Sequence, residues 1–182
     1  MIKKLSHYIG EYKKETILTP ILVTLEVIME IVIPLLMAEL IDKGIDKGDM
    51  NGIVRYGVLL LGAAILALFF GVASGRYAAV SSAGFAKNLR QAMYYKVQEY
   101  SFSNIDRFST ASIVTRLTTD VSNVQNAFQM MTRIAFRAPG MLIFALIAAF
   151  SIDAELSFVF AAVLPILGIG LYLIIRKVYP IF

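Results

Sequence analysis

Apolar and polar positions alternate in regimes along the chain. Four stretches, residues 16–41, 54–80, 134–152 and 156–175, are strongly apolar. Each is long enough to cross a hydrocarbon core of ~30 Å as a helix. Their apolar surface runs all round, unlike the single stripe of a soluble surface helix. Between the second and third stretches the pattern becomes one-sided. Phe85, Leu89, Met93, Val97 and Tyr100 form one stripe, and Leu117, Val121, Val124, Phe128 and Met131 form another, both at steps of three and four. Residues 101–112 separate the stripes and are rich in Ser, Thr, Asn and Asp, which favour caps and turns.

This pattern predicts an all-α membrane protein: four transmembrane helices with a long helical hairpin, residues 81–133, between helices two and three. About twenty-five residues per arm give a reach on the order of 35 Å. Ahead of the first span, residues 1–15 carry Lys3, Lys4, Lys13 and Lys14, with Leu5, Tyr8, Ile9 and Tyr12 at helical spacing. That fits an amphipathic helix lying among lipid headgroups, or an ordinary charged flank. In residues 42–52, Gly44, Gly48 and Gly52 mark a turn beside Asp42, Asp46, Asp49, Lys43 and Lys47. Asp153 and Glu155 mark a very short acidic turn.

Composition and charge sharpen the topology. The 182 residues are 58% hydrophobic, above the roughly 45–50% of soluble domains. The formal net charge is +4, but the cations flank the spans, so they speak for topology and no nucleic-acid partner is expected. Lys87, Arg90, Lys96, Arg107, Arg116 and Arg133 occupy the middle segment, and Arg176 and Lys177 follow the fourth span. The positive-inside rule then puts both termini and the hairpin in the cytoplasm. Cysteine is absent and His7 is the sole histidine, so a thiolate or histidine-cluster metal site within one chain is excluded. Residues 1–15 do not read as a signal peptide, because the span after them is too long and lacks a small-residue cleavage site.

The hairpin tip carries a motif. Phe108, Thr110, Ile113, Thr115, Arg116, Leu117, Thr118, Asp120, Val121 and Gln125 resemble the first intracellular loop of ABC exporters with six-helix, domain-swapped membrane domains. Ala111 stands where that loop often has Gly, and Thr119 where Asn is frequent. The run from Phe108 to Ser112 looks closest to bacterial heterodimeric multidrug exporters. The resemblance implies a coupling helix at residues 104–110 that sits in a cleft of a nucleotide-binding domain. Ile105 and Phe108 would supply apolar contact there, and Asn104, Asp106, Arg107, Ser109 and Thr110 polar contact. It further implies a second ABC subunit, identical or paralogous, in a bacterial plasma membrane, with ATP and Mg bound in a nucleotide-binding domain absent from this chain.

The 182 residues contain no G-x-x-x-x-G-K-[ST] phosphate loop, so no cofactor is expected on this chain and no ATPase activity from it alone. Four spans stand where the family has six, so the expectation is a truncated or fragmentary gene product. The resemblance implies multidrug, lipid or peptide export by alternating access. The alternative is a small membrane scaffold or adaptor without transport. A secondary transporter would predict internal repeats with interrupted helices, and spans one–two and three–four show no such similarity.

Several residues carry two readings. Glu26 and Glu30 share a helix face within the first span, and ionisable groups in a membrane usually face a cavity or a partner. They are candidates for a transport pathway attracting cationic or amphipathic substrates, together with Arg137. Alternatively, they pair with Arg76 or Arg137 on neighbouring helices. Gly71 and Gly75 form a G-x-x-x-G step suited to close helix packing. Pro34 and Pro139 are kink candidates. Phe128, Met130, Met131, Phe136 and Met141 either line an adaptable apolar cavity or face lipid and core. In the motif residues Thr115, Arg116 and Asp120, the Arg116–Asp120 spacing predicts an i,i+4 ion pair on the return arm.

Overall fold

The computed structural model describes residues 6–99 and 110–178, and every regular element among them is helical. Helix α1 covers Lys13–Leu40 and continues through a π-helical turn at Ile41–Ile45. Helix α2 covers Met50–Gln98. The return arm starts as α3, Thr110–Thr115, passes a π-helical turn at Arg116–Asp120, and becomes α4, Val121–Ile152. Helix α5 covers Ala154–Val178. Four of the helical stretches are long and apolar enough to cross a membrane: Tyr8–Ile45, Met50–Gln98, Ala111–Ile152 and Ala154–Val178. The expected four-span architecture is therefore present. The candidate coupling residues 104–109 lie outside the described residues.

Helix boundaries follow local chemistry. Asp49 is extended (φ −85°, ψ 101°), and its side chain accepts from the Asn51 N–H at 3.1 Å, so it caps α2 four residues earlier than the apolar pattern begins. Asp153 alone separates α4 from α5. Its Oδ1 accepts from the backbone N–H of Glu155 at 2.9 Å and of Leu156 at 3.2 Å. Pro20, Pro34, Pro139 and Pro165 all lie inside helices.

The elbow differs from a straight amphipathic helix. Ser6–Tyr12 is a 3₁₀ segment broken at Gly10, whose φ of 53° is left-handed and suits glycine. The break turns the elbow back onto α2: Asn88 Nδ2 donates to the Tyr8 carbonyl at 2.9 Å, and the Tyr12 ring lies over Gly84.

The chain clusters into two compact units, residues 1–140 and 141–182. In the first, α1 packs on α2 through one face of each. Thr19, Val23, Glu26 and Val27 are buried on α1. On α2, Gly71 and Ser74 meet Glu26 and Ser81 meets Thr16, while Gly75, Ser82 and the buried Phe85 face Arg133, Gln129 and Phe128 of α4. Between lipid-exposed helices the hydrophobic effect offers little preference, so close backbone approach and interhelical hydrogen bonds hold the pair. The Thr16 and Ser81 hydroxyls meet at 2.6 Å across it. Leu61, Ile65, Leu68, Phe69 and Val72 point outward and are exposed, as a bilayer-facing surface requires. In the second unit, Phe150 packs edge-on against Phe158 at 5.4 Å.

The two arms run antiparallel. Ser82 Oγ lies 3.4 Å from Gln129 Oε1, Phe85 stacks on Phe128 at 4.6 Å, and Arg90 donates to Ser122 at 3.2 Å. Partner numbers fall as α2 numbers rise, so the two predicted apolar stripes face each other.

A methyl group added at Gly84 would overlap the Tyr12 ring, whereas one at Gly140 meets open space. Gly84→Ala should lower stability by about 1–3 kcal/mol, the usual cost of overpacking. Gly140→Ala should not. Comparing thermal unfolding of the two variants in detergent checks this, and equal midpoints would refute the docked elbow.

An ion network where three helices meet

Glu26 and Glu30 lie one turn apart on α1, and Arg133 and Arg137 lie one turn apart on α4. The two pairs face each other. Arg137 spans both carboxylates as a fork: Nη1 donates to Glu26 Oε1 at 2.7 Å, and Nη2 donates to Glu30 Oε1 at 2.5 Å. Arg133 Nη2 stands 3.9 Å from Glu26 Oε2, a longer and looser contact. Helix α2 completes the cluster. Ser74 Oγ lies 3.2 Å from Glu26 Oε2 and 2.9 Å from the Gly71 carbonyl.

The glycine step acquires a specific meaning here. A Cβ at Gly71 would sit 3.1 Å from Glu26 Oε1, and one at Gly75 would sit 3.8 Å from Arg133 Nη1. The missing side chains make room for a carboxylate and a guanidinium.

The physical reason for the arrangement is the cost of charge in a membrane, about 2.5–3.5 kcal/mol for an ionised residue at a helix centre on insertion scales. Two carboxylates opposite two guanidiniums are neutral as a set. Guanidinium suits the task because its planar fork donates two directed hydrogen bonds at once. Glu26 is the most enclosed member, with 9% of its side chain exposed.

The candidate pathway residues Glu26, Glu30 and Arg137 are thus brought together, and of the two pairing candidates it is Arg137 that binds the carboxylates. Among the described residues Arg76 forms no ion pair with either one, and it is exposed. Phe128 is committed to its stack with Phe85, while Met131, Phe136 and Met141 are exposed and Met130 lines a groove beside the network. Ser74 and Arg133 are additions that the charge pattern did not single out. Ser74 was nonetheless visible as part of the small-residue stripe, and Arg133 as the position one turn before Arg137.

Near the tip, Met93, Lys96 and Val97 of α2 and Ser112, Ile113, Arg116 and Leu117 of the return arm line a cavity of about 150 Å³. Arg116 therefore faces α2. The expected Arg116–Asp120 ion pair does not form among the described residues. Thr115 instead donates back to the Ala111 carbonyl at 3.0 Å.

Arg137→Gln should leave the set with one excess carboxylate charge, that of Glu30, and cost about 3 kcal/mol, the low end of the range for breaking a buried pair because Arg137 is 37% exposed. Adding Glu30→Gln to that variant, which leaves one carboxylate opposite one guanidinium, should recover most of the loss. Thermal unfolding of the solubilised chain reads both, and an unshifted single variant would show that the fork contributes nothing to stability.

Residues 16–181, which include the network and both arms, match the family described as the ABC transporter transmembrane region. Over 129 residues the chain is 32% identical to the uncharacterized ABC transporter ATP-binding protein YfiB of Bacillus subtilis, covering 71% of this chain and 22% of that protein. It is 30% identical over 134 residues to the uncharacterized ABC transporter ATP-binding protein Rv1273c of Mycobacterium tuberculosis, covering 74% and 23%. YknU of Bacillus subtilis, also named an uncharacterized ABC transporter ATP-binding protein, is 31% identical over 94 residues, 52% of this chain and 16% of that protein. The chain thus spans less than a quarter of the length of these relatives. With four membrane-length helices and a family match across all of them, the chain is an integral membrane protein of the ABC transporter transmembrane-region family.

Proposed function

We propose that this chain is the membrane-spanning part of an ATP-driven exporter, which moves substrate by alternating access coupled to ATP binding and hydrolysis in a nucleotide-binding domain outside these 182 residues. The observation that carries the proposal is α2. It is one unbroken helix of 49 residues, on the order of 70 Å long at 1.5 Å per residue, more than twice a hydrocarbon core of ~30 Å. Its excess length pairs with the return arm through Phe85–Phe128 and Arg90–Ser122. A stiff two-helix lever is what transmission from a soluble motor to a membrane domain requires.

On this reading residues 104–110 make the coupling contact. The partners are a nucleotide-binding domain, which holds ATP and Mg, and a second ABC subunit. The relatives named above are called ATP-binding proteins and are bacterial, which supports a motor domain and a bacterial plasma membrane. The flanking cations support a cytoplasmic hairpin and cytoplasmic termini. Substrates of the multidrug, lipid or peptide type fit a pathway inside the bilayer.

Two measurements test this. Affinity capture of the chain from native membranes should recover an ATPase subunit, and Asp106→Ala with Phe108→Ala should reduce recovery about tenfold. If no ATPase subunit is recovered, a scaffold or adaptor becomes the better reading. Because the chain lacks cysteine, single cysteines report topology directly. Lys47→Cys and Glu155→Cys should react with an impermeant maleimide from outside intact cells, and Ser101→Cys only after lysis. The reverse pattern would overturn the orientation.

A further inference from the structure

Beside the ion network lies a groove of about 400 Å³ lined by Asn126, Gln129, Met130, Arg133, Ile134 and Arg137, all on α4. Its charge is one-sided. The carboxylates of Glu26 and Glu30 are absent from the lining and are engaged by Arg137. The charged groups that do line it are two guanidiniums, with 35% of the Arg133 side chain and 37% of the Arg137 side chain exposed.

Arg137 has both terminal nitrogens committed, whereas among the described residues Arg133 makes only its 3.9 Å approach to Glu26. Arg133 therefore retains directed donors for a ligand. The Gln129 side-chain oxygen lies 3.4 Å from the Ser82 hydroxyl, and its amide group supplies further donors on the groove side. Met130 and Ile134 supply apolar wall, and Met130 is 63% exposed. Cationic and amide donors on one side and apolar surface on the other complement an amphiphile with an anionic head.

We infer that this groove binds amphiphiles bearing an anionic phosphate or carboxylate head, with Arg133 as the principal charge contact. This reverses the preference that isolated Glu26 and Glu30 would imply, because the structure neutralises those carboxylates. The inference deepens the transporter reading by assigning a ligand class to its membrane part, and its test measures binding alone. A failed binding test would leave the motor and topology experiments standing, and failure of those would not remove a binding site.

The test is calorimetric titration of the full chain in nanodiscs of neutral phosphatidylcholine, with empty nanodiscs subtracted. The probes are dodecyl phosphate, dodecyltrimethylammonium, phosphatidylglycerol carried in the disc, and inorganic phosphate. Dodecyl phosphate should bind saturably, at least tenfold more tightly than dodecyltrimethylammonium or inorganic phosphate. Competition by phosphatidylglycerol would identify bilayer lipid as the natural source of the head group, and its absence would point to a non-lipid amphiphile. Arg133→Gln should weaken dodecyl phosphate binding at least tenfold, and Arg133→Lys less than threefold. Met130→Glu, a change at an exposed wall position that places a carboxylate one turn from Arg133, should also weaken it at least tenfold. Equal binding of the cationic probe, equal binding of bare phosphate, or undiminished binding by folded Met130→Glu would overturn the assignment.

Discussion

The fork of Arg137 across Glu26 and Glu30 is the constraint on which the first unit depends. A charge placed in the apolar part of a membrane must be compensated close by, and compensation by directed hydrogen bonds fixes geometry to a fraction of an ångström. Helix α1 cannot slide along α4 by a turn without separating both contacts. Through Ser74 and the open position at Gly71, the same carboxylate sets how closely α2 approaches. Apolar contact alone would be far more permissive, because lipid and leucine are nearly equivalent neighbours.

Helix α2 solves two packing problems along one axis. In the membrane half it offers glycine, alanine and serine, so that backbones approach and hydroxyls bond across the gap. Beyond Ser82 it offers Phe85, which stacks on Phe128. Because the helix is continuous, the ion network and the arms belong to one mechanical body within the first unit, and the groove on α4 lies between them.

Several features were readable from residue order alone. Four apolar runs of spanning length and two stripes at helical period require four membrane helices and a hairpin, since backbone polar groups in lipid must be satisfied within the helix. The stripes implied the pairing that Phe85 and Phe128 make. Less was legible where a single residue redirects the chain. Gly10 breaks the elbow and docks Tyr12 on Gly84, a turn that periodicity, which fits an amphipathic helix or a charged flank, does not specify. The capping aspartates Asp49 and Asp153 moved two helix starts outward, because a side-chain hydrogen bond outweighs a local drop in hydrophobicity.

Residue order by itself determined the membrane class, the number of spans and the arms, because each follows from local period and length against the thickness of a bilayer. It also identified Glu26 and Glu30 as groups that must find a partner or a cavity. Tertiary structure alone decided which one. Arg76 and Arg137 were equal candidates by type, and their separation depends on the rotation of α2 and α4 about their axes. That rotation turned Arg76 outward, brought Arg137 onto both carboxylates, and left Arg133 beside open space. The electrostatic sign of the groove is therefore a property of packing, set by which charges are spent on each other.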